Sequence, residues 1–208
     1  MFSVSSFELN LNTSTGVFSV ISDEEVPCPS CGGLLAYRCT RLRGLKNLIG
    51  EIRRFLLRRF YCKECKTTHT EIPDIIQPYK HYDTEAIQCV LDCSEAPAGC
   101  AADDSTIRRW KKTFAEAEPD LTQRLASVFA QMTDGHVPLE SAPRTFNTIR
   151  ARHSYWLPFV MGLLINSGHK LRARFAFCPP NPASTIASAG KNEEERGAKC
   201  DKTIDDTS

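Results

Sequence analysis

Two cysteine pairs constrain this chain more than any other feature. Cys28-Pro-Ser-Cys31 and Cys62-Lys-Glu-Cys65 both read C-x-x-C, with 30 residues between the pairs. A C-x-x-C turn places two thiolates on one side of a tight loop. Two such loops facing each other complete a tetrahedron of sulfur, the arrangement zinc takes with soft donors. Gly32, directly after Cys31, lets backbone amides turn toward the sulfurs. Lys63 and Lys66 flank the second pair and favour its thiolate form. A thioredoxin-type redox pair needs one C-x-x-C at the start of a helix, and here two pairs sit in turn-like sequence. Structural zinc held by Cys28, Cys31, Cys62 and Cys65 is therefore the expectation, with redox-active or metal-free thiols as the rivals. The separation exceeds the about 15–20 residues of the compact ribbon pattern, so the connection must be a long hairpin.

The chain has ten cysteines, many for a reducing compartment unless some hold metal. Cys89 and Cys93 stand four apart on one helix face, a spacing that could share a metal, but small buried residues are the expected reading. Spacing assigns no role to Cys39, Cys100, Cys178 or Cys200, and His69 is a spare ligand that a four-sulfur site does not need. The first 20 residues contain no Lys or Arg and no continuous apolar stretch, so no signal peptide is expected. The longest apolar run, Trp156 to Ile165, is about half the ~20 residues of a spanning helix and is interrupted by Pro158. A cytoplasmic protein without membrane contact is expected.

Charge is informative only by its distribution. The formal net charge of +1 names no partner, but Arg38 to Lys66 carries ten Lys and Arg against Glu51 and Glu64. This excess, with Arg53, Arg54, Arg58 and Arg59 at its centre, suits a phosphate-facing surface. The segment LKNLIGEIRRFLL is compatible with a helix. The β-forming residues after Gly50 favour strands instead, as a zinc ribbon requires.

Around this centre the chain divides by pattern. Residues 1–26 suggest a hairpin, with Phe7, Leu9 and Leu11 alternating before a Thr-Ser-Thr-Gly turn. Residues 27–72 form the ribbon, and 73–82, with two prolines, a connector. Residues 83–133 are helical. Asp83 caps a first helix with Ile87, Val90 and Leu91 inward, and Asp103 or Asp104 caps the next. On that helix Ile107, Trp110, Phe114 and Ala117 share one face, leaving Ser105, Arg108, Arg109, Lys112 and Glu116 opposite and Lys111 at the boundary. Such a helix suits the major groove of DNA, where arginine grips guanine with paired hydrogen bonds. Pro119 is expected to open a further helix with Leu121, Leu125, Val128, Phe129 and Met132 inward. Residues 145–178 suggest one more helical segment, kinked at Pro158 and ending near Gly168. It either completes the bundle or forms a homodimer face. Residues 179–208 are polar and Pro/Ser-rich, and disorder is expected there.

The elements CPSCGG, RRFYCKECKTTHTEIPD, IQPYKHY and STIRRW together resemble the N-terminal zinc-ribbon and helix-turn-helix region of bacterial insertion-sequence transposases. They are closest to a family of short bacterial proteins associated with mobile elements. The resemblance covers residues 27–117. It implies double-stranded DNA as the ligand, the four paired cysteines as metal ligands, and Ser105, Thr106, Arg108, Arg109, Lys111 and Lys112 in the recognition helix. It also implies a transposase or recombinase as partner. Such a transposase continues into a nuclease domain with three acidic residues on a sheet-and-helix core. Asp134, Glu140 and Asp201 do not sit on strand patterns, so no enzymatic activity is expected. The expected class is α+β: a small β zinc ribbon, then an α-helical helix-turn-helix bundle, with a role regulating or assisting a mobile element. An RNA-binding or protein-interaction zinc module is the alternative.

Overall fold

The computed structural model describes residues 1–132 and 142–168. Six strands, β1 Phe2–Val4, β2 Glu8–Asn12, β3 Val17–Ile21, β4 Leu35–Lys46, β5 Ile52–Cys62 and β6 Thr68–Pro73, precede four helices. The helices are α1 Thr84–Asp92, α2 Asp104–Met132, α3 Ala142–Arg152 and α4 Trp156–Asn166. The class is α+β, as the sequence indicates.

Strand β5 organises the sheet. Its alternation puts Phe55 and Leu57 into the core while neighbouring positions face outward. Along one edge it pairs antiparallel with β4 from Leu35↔Cys62 to Lys46↔Ile52, with a register shift between Tyr37 and Cys39. The strand choice for this segment therefore holds, and the hairpin is as long as the cysteine spacing demands. Its turn is closed by Asn47, whose N–H donates to Glu51 C=O at 3.0 Å and whose side chain accepts the Glu51 N–H at 2.8 Å. Gly50, at φ +88°, occupies the left-handed position of that turn.

The other edge of β5 is divided. Its first half pairs parallel with β3 and its second half antiparallel with β6. The expected N-terminal hairpin is present as β2–β3, built into this sheet through Phe18, which stacks on Phe55 at 5.5 Å. β1 lies parallel to β6. Val20, Leu45, Phe55, Leu57, Ile72 and Ile76 form the sheet's own buried cluster.

The helices pack around a second cluster that includes Trp110, Phe114, Phe146 and Trp156. Asp83 caps α1 by accepting from the Ala86 N–H at 2.8 Å, and Asp103 caps α2 through Thr106 N–H at 2.8 Å. Two expectations are corrected here. First, Pro119 does not open a new helix, because α2 runs continuously through it. Ala115, whose carbonyl Pro119 cannot bond, is exposed, so solvent can take that acceptor. Second, the C-terminal segment breaks at His153–Tyr155 and not at Pro158. Pro158 falls in the first turn of α4, where a helix has no use for its N–H. The eleven residues Cys93–Asp103 join α1 to α2, a longer connection than the about three or four residues of a tight helix-turn-helix. The tail after residue 178 lies outside the described residues.

Asn166 fastens α4 to the sheet. Its side chain accepts from Ser3 N–H at 2.8 Å and donates to Ser3 C=O at 2.9 Å. Among the described residues no helix is long and apolar enough to cross a membrane.

Candidate metal centre and cationic face

The β4–β5 hairpin delivers the two cysteine pairs to one end of the sheet. Cys28 and Cys31 lie just before β4, and Cys62 ends β5, directly paired with Leu35 at the start of β4. Each pair forms a similar knuckle. In the first, Cys31 and Gly32 N–H both donate to Cys28 C=O, at 3.3 and 2.7 Å, and Gly32 takes φ +75°. In the second, Cys62 N–H donates to Thr67 C=O at 3.0 Å, and Lys66, also directly after the second cysteine, takes φ +55°. The tight loop thus needs a left-handed residue at that place, and Lys66 accepts the conformation that glycine adopts freely.

The four sulfurs lie within 4.8 Å of one another. Cys28 Sγ is 3.6 Å from Cys65 Sγ, and Cys31 Sγ is 3.5 Å from Cys62 Sγ. A tetrahedron with ~2.3 Å metal–sulfur bonds has edges of about 3.8 Å, so the sulfurs are spaced for one ion. They are too far apart for disulfides, whose sulfurs stand at about 2.05 Å. Cys28 and Cys62 are buried, Cys65 half-buried and Cys31 exposed. Two of the thiols, Cys65 and Cys31, are shifted in opposite directions by their hydrogen bonds. Thr67 and His69 hydrogen bonds pull Cys65 down to about 5. At Cys31 the Gly33 N–H favours the thiolate. Hydrogen bonds with Cys62, Cys28 and Cys65, together with desolvation, outweigh it and push the thiol up to about 12. Four thiolates this close repel one another, and a divalent cation at their centre removes the conflict.

His69 does not complete the ligand set; it braces it. Its ring is buried, with Nε2 at 3.3 Å from Cys28 Sγ and 2.8 Å from Thr67 Oγ1. Thr67 Oγ1 is in turn 2.8 Å from Cys65 Sγ. One hydrogen-bonded chain therefore runs from one knuckle to the other, the kind of outer support that orients metal ligands. The sequence offered His69 only as a spare ligand, and nothing in it singled out Thr67.

The cationic residues fall into two groups. Arg53, Arg54, Arg108, Arg109 and Lys112 are exposed, the first two near the hairpin turn and the others near the start of α2. Buried opposite them on α2 are Ile107, Trp110, Phe114 and Ala117, as periodicity indicates. The second group is committed internally. Arg58 donates from Nε and Nη2 to the buried Glu71 carboxylate, both at 2.7 Å, and from Nη2 to Ser22 C=O at 2.6 Å. Lys111 Nζ donates to Cys93 and Ser94 C=O, each at 2.8 Å, at the C-terminal end of α1. Arg59 is half-buried, with a buried Nε. Ser105 and Thr106 hydroxyls both donate to the Asp103 carboxylate. Those bonds hold Asp103 down at about 2. Of the ten residues expected at DNA, five are thus displayed to solvent and five are engaged within the fold or partly covered.

Residues 28–110 match the family model described as a domain of unknown function (DUF6431). The match opens on Cys28 and closes on Trp110, so it takes in both knuckles, the long hairpin, α1 and the first part of α2. No curated protein and no solved structure matches the chain.

Proposed function

We propose that this chain is a zinc-stabilised, sequence-preferring DNA-binding protein. One observation carries the reading: an exposed cationic front on α2, backed by a mainly apolar buried face, stands in the same sheet-and-helix body as a hairpin whose ends bring four sulfurs together. Zinc fixes the ends of β4 and β5. Arg53 and Arg54 contact phosphates, and Arg108, Arg109 and Lys112 present the hydrogen-bonding groups that read base edges and hold the backbone. The long α1–α2 connection makes this an open variant of the helix-turn-helix arrangement. The resemblance to transposase N-terminal regions gives the role, which is regulatory or accessory binding at a mobile element, beside a transposase or recombinase. The reading requires no catalytic centre.

The test is duplex DNA selected from a random pool and titrated with salt. Three phosphate contacts, from Arg53, Arg54 and Lys112, would give a log–log slope of about −2.7, a loss of roughly 40-fold in affinity between 50 and 200 mM salt. The double substitution Arg108→Ala, Arg109→Ala should abolish sequence preference and leave metal content unchanged. Binding that hardly responds to salt would instead indicate an apolar protein interface and refute the proposal.

A further inference from the structure

A groove of about 840 Å³ separates the β4–β5 hairpin from the first turns of α2. Its size lies within the range of ligand pockets, about 300–1,000 Å³, and far below what a duplex would need. Lys46 and Ile52 line it from the hairpin, Tyr79 and Lys80 from the connector, and Thr106 and Arg109 from α2. The walls are firmly joined. Lys46 N–H donates to His81 C=O at 2.8 Å, and Asp83 N–H donates to Lys46 C=O at 2.9 Å. Arg43 Nη2 donates to the carbonyls of Gln77 and Lys80, at 3.2 and 2.7 Å. Tyr82 meets Trp110 edge-on, with ring centroids 5.1 Å apart.

Two properties define what the groove would accept. The first is charge. Lys46, Lys80 and Arg109 face it, and Asp103 is the only carboxylate among the described residues that line it. Asp103 is itself engaged at the cap of α2. The groove is therefore cationic and favours an anion. The second is Tyr79, which stands at φ +61° with 42% of its surface exposed. An aromatic residue in the left-handed region is strained, and such strain persists where surrounding structure imposes it, often at ligand sites. An exposed aromatic ring beside fixed cations is the combination that holds an unstacked base and its phosphate.

We propose that the groove receives one unpaired nucleotide of the bound DNA, its base on Tyr79 and its phosphate between Lys46 and Arg109. This rests on the DNA-binding reading above and adds recognition of a distorted or unpaired position to it. Two probes separate the two claims: a fully paired duplex, and the same duplex carrying a single unpaired thymidine. The protein should prefer the bulged duplex by about tenfold. Tyr79→Gly, which accepts the left-handed φ without strain, should stay folded and lose that preference. Tyr79→Phe should keep the preference. A wild-type protein that binds both duplexes equally, or a Tyr79→Gly variant that still discriminates, overturns the groove assignment alone. Failure to bind either duplex removes the DNA reading itself, and this inference with it.

Discussion

Arg58 offers the sharpest separation between a cation that faces nucleic acid and one that holds the fold. The residue lies in the most basic stretch of the chain, yet its guanidinium grips Glu71 with two bonds of 2.7 Å. Glu71 is 1% exposed and Arg58 also holds Ser22 C=O, so the three groups tie β5, β6 and the end of β3 together. Arg58→Ala strands a buried carboxylate without its partner, and removing one half of such a pair costs about 3–5 kcal/mol. That is a large share of the about 5–15 kcal/mol that holds a typical domain together. Denaturant unfolding in excess zinc should show the loss as a lower midpoint. Adding Glu71→Leu to Arg58→Met should restore most of it, since an apolar pair needs no buried charge. Duplex affinity, measured where each variant is fully folded, should be unchanged. An Arg58→Ala protein of near wild-type stability with weakened DNA binding would refute the assignment and return Arg58 to the phosphate surface.

Two further outcomes follow from local geometry. Asp103 titrates at about 2 in the folded chain, below the ~3.9 of an unstructured aspartate. Its capping contribution is therefore complete above about pH 4 and fades as pH falls through 2, so Asp103→Ala should be less stable at neutral pH and flatten the acid limb of a stability–pH curve. Gly168 has φ +79°, and a Cβ there would collide with Pro29 C=O in the first knuckle. Gly168→Ala should lose at least about 1 kcal/mol of stability and release zinc to a chelator faster, read by a colorimetric metal indicator.

Much of the architecture was legible because its signals are local. The knuckles follow from four cysteines and their turn residues, the hairpin from their spacing, and the helix starts from Asp83 and Asp103. The buried stripe of α2 was visible in the 3.6-residue period, from Ile107 to Val128. What was hidden depends on distant pairing. Nothing near β5 says that β3 and β6 divide its second edge, or that β1 runs parallel to β6. The same holds for the cations. Arg54 and Arg58 look alike in sequence, and only the fold carries Glu71 to one of them. Lys111 likewise sits one residue from the exposed Lys112, yet it turns to the carbonyls that end α1. The strain at Tyr79 carried no signal, since it is set by the joints on either side of the residue. Pro119 misled because proline is favoured at a helix start, while an exposed position within a long helix tolerates it.

The most direct measurement is elemental analysis of protein purified under reducing conditions, before and after Cys28→Ser and Cys62→Ser substitution. The account predicts one zinc per chain in the native protein, loss of it in both variants, and unfolding of the sheet when a chelator strips the ion. Reduced, folded protein containing no stoichiometric metal would contradict it.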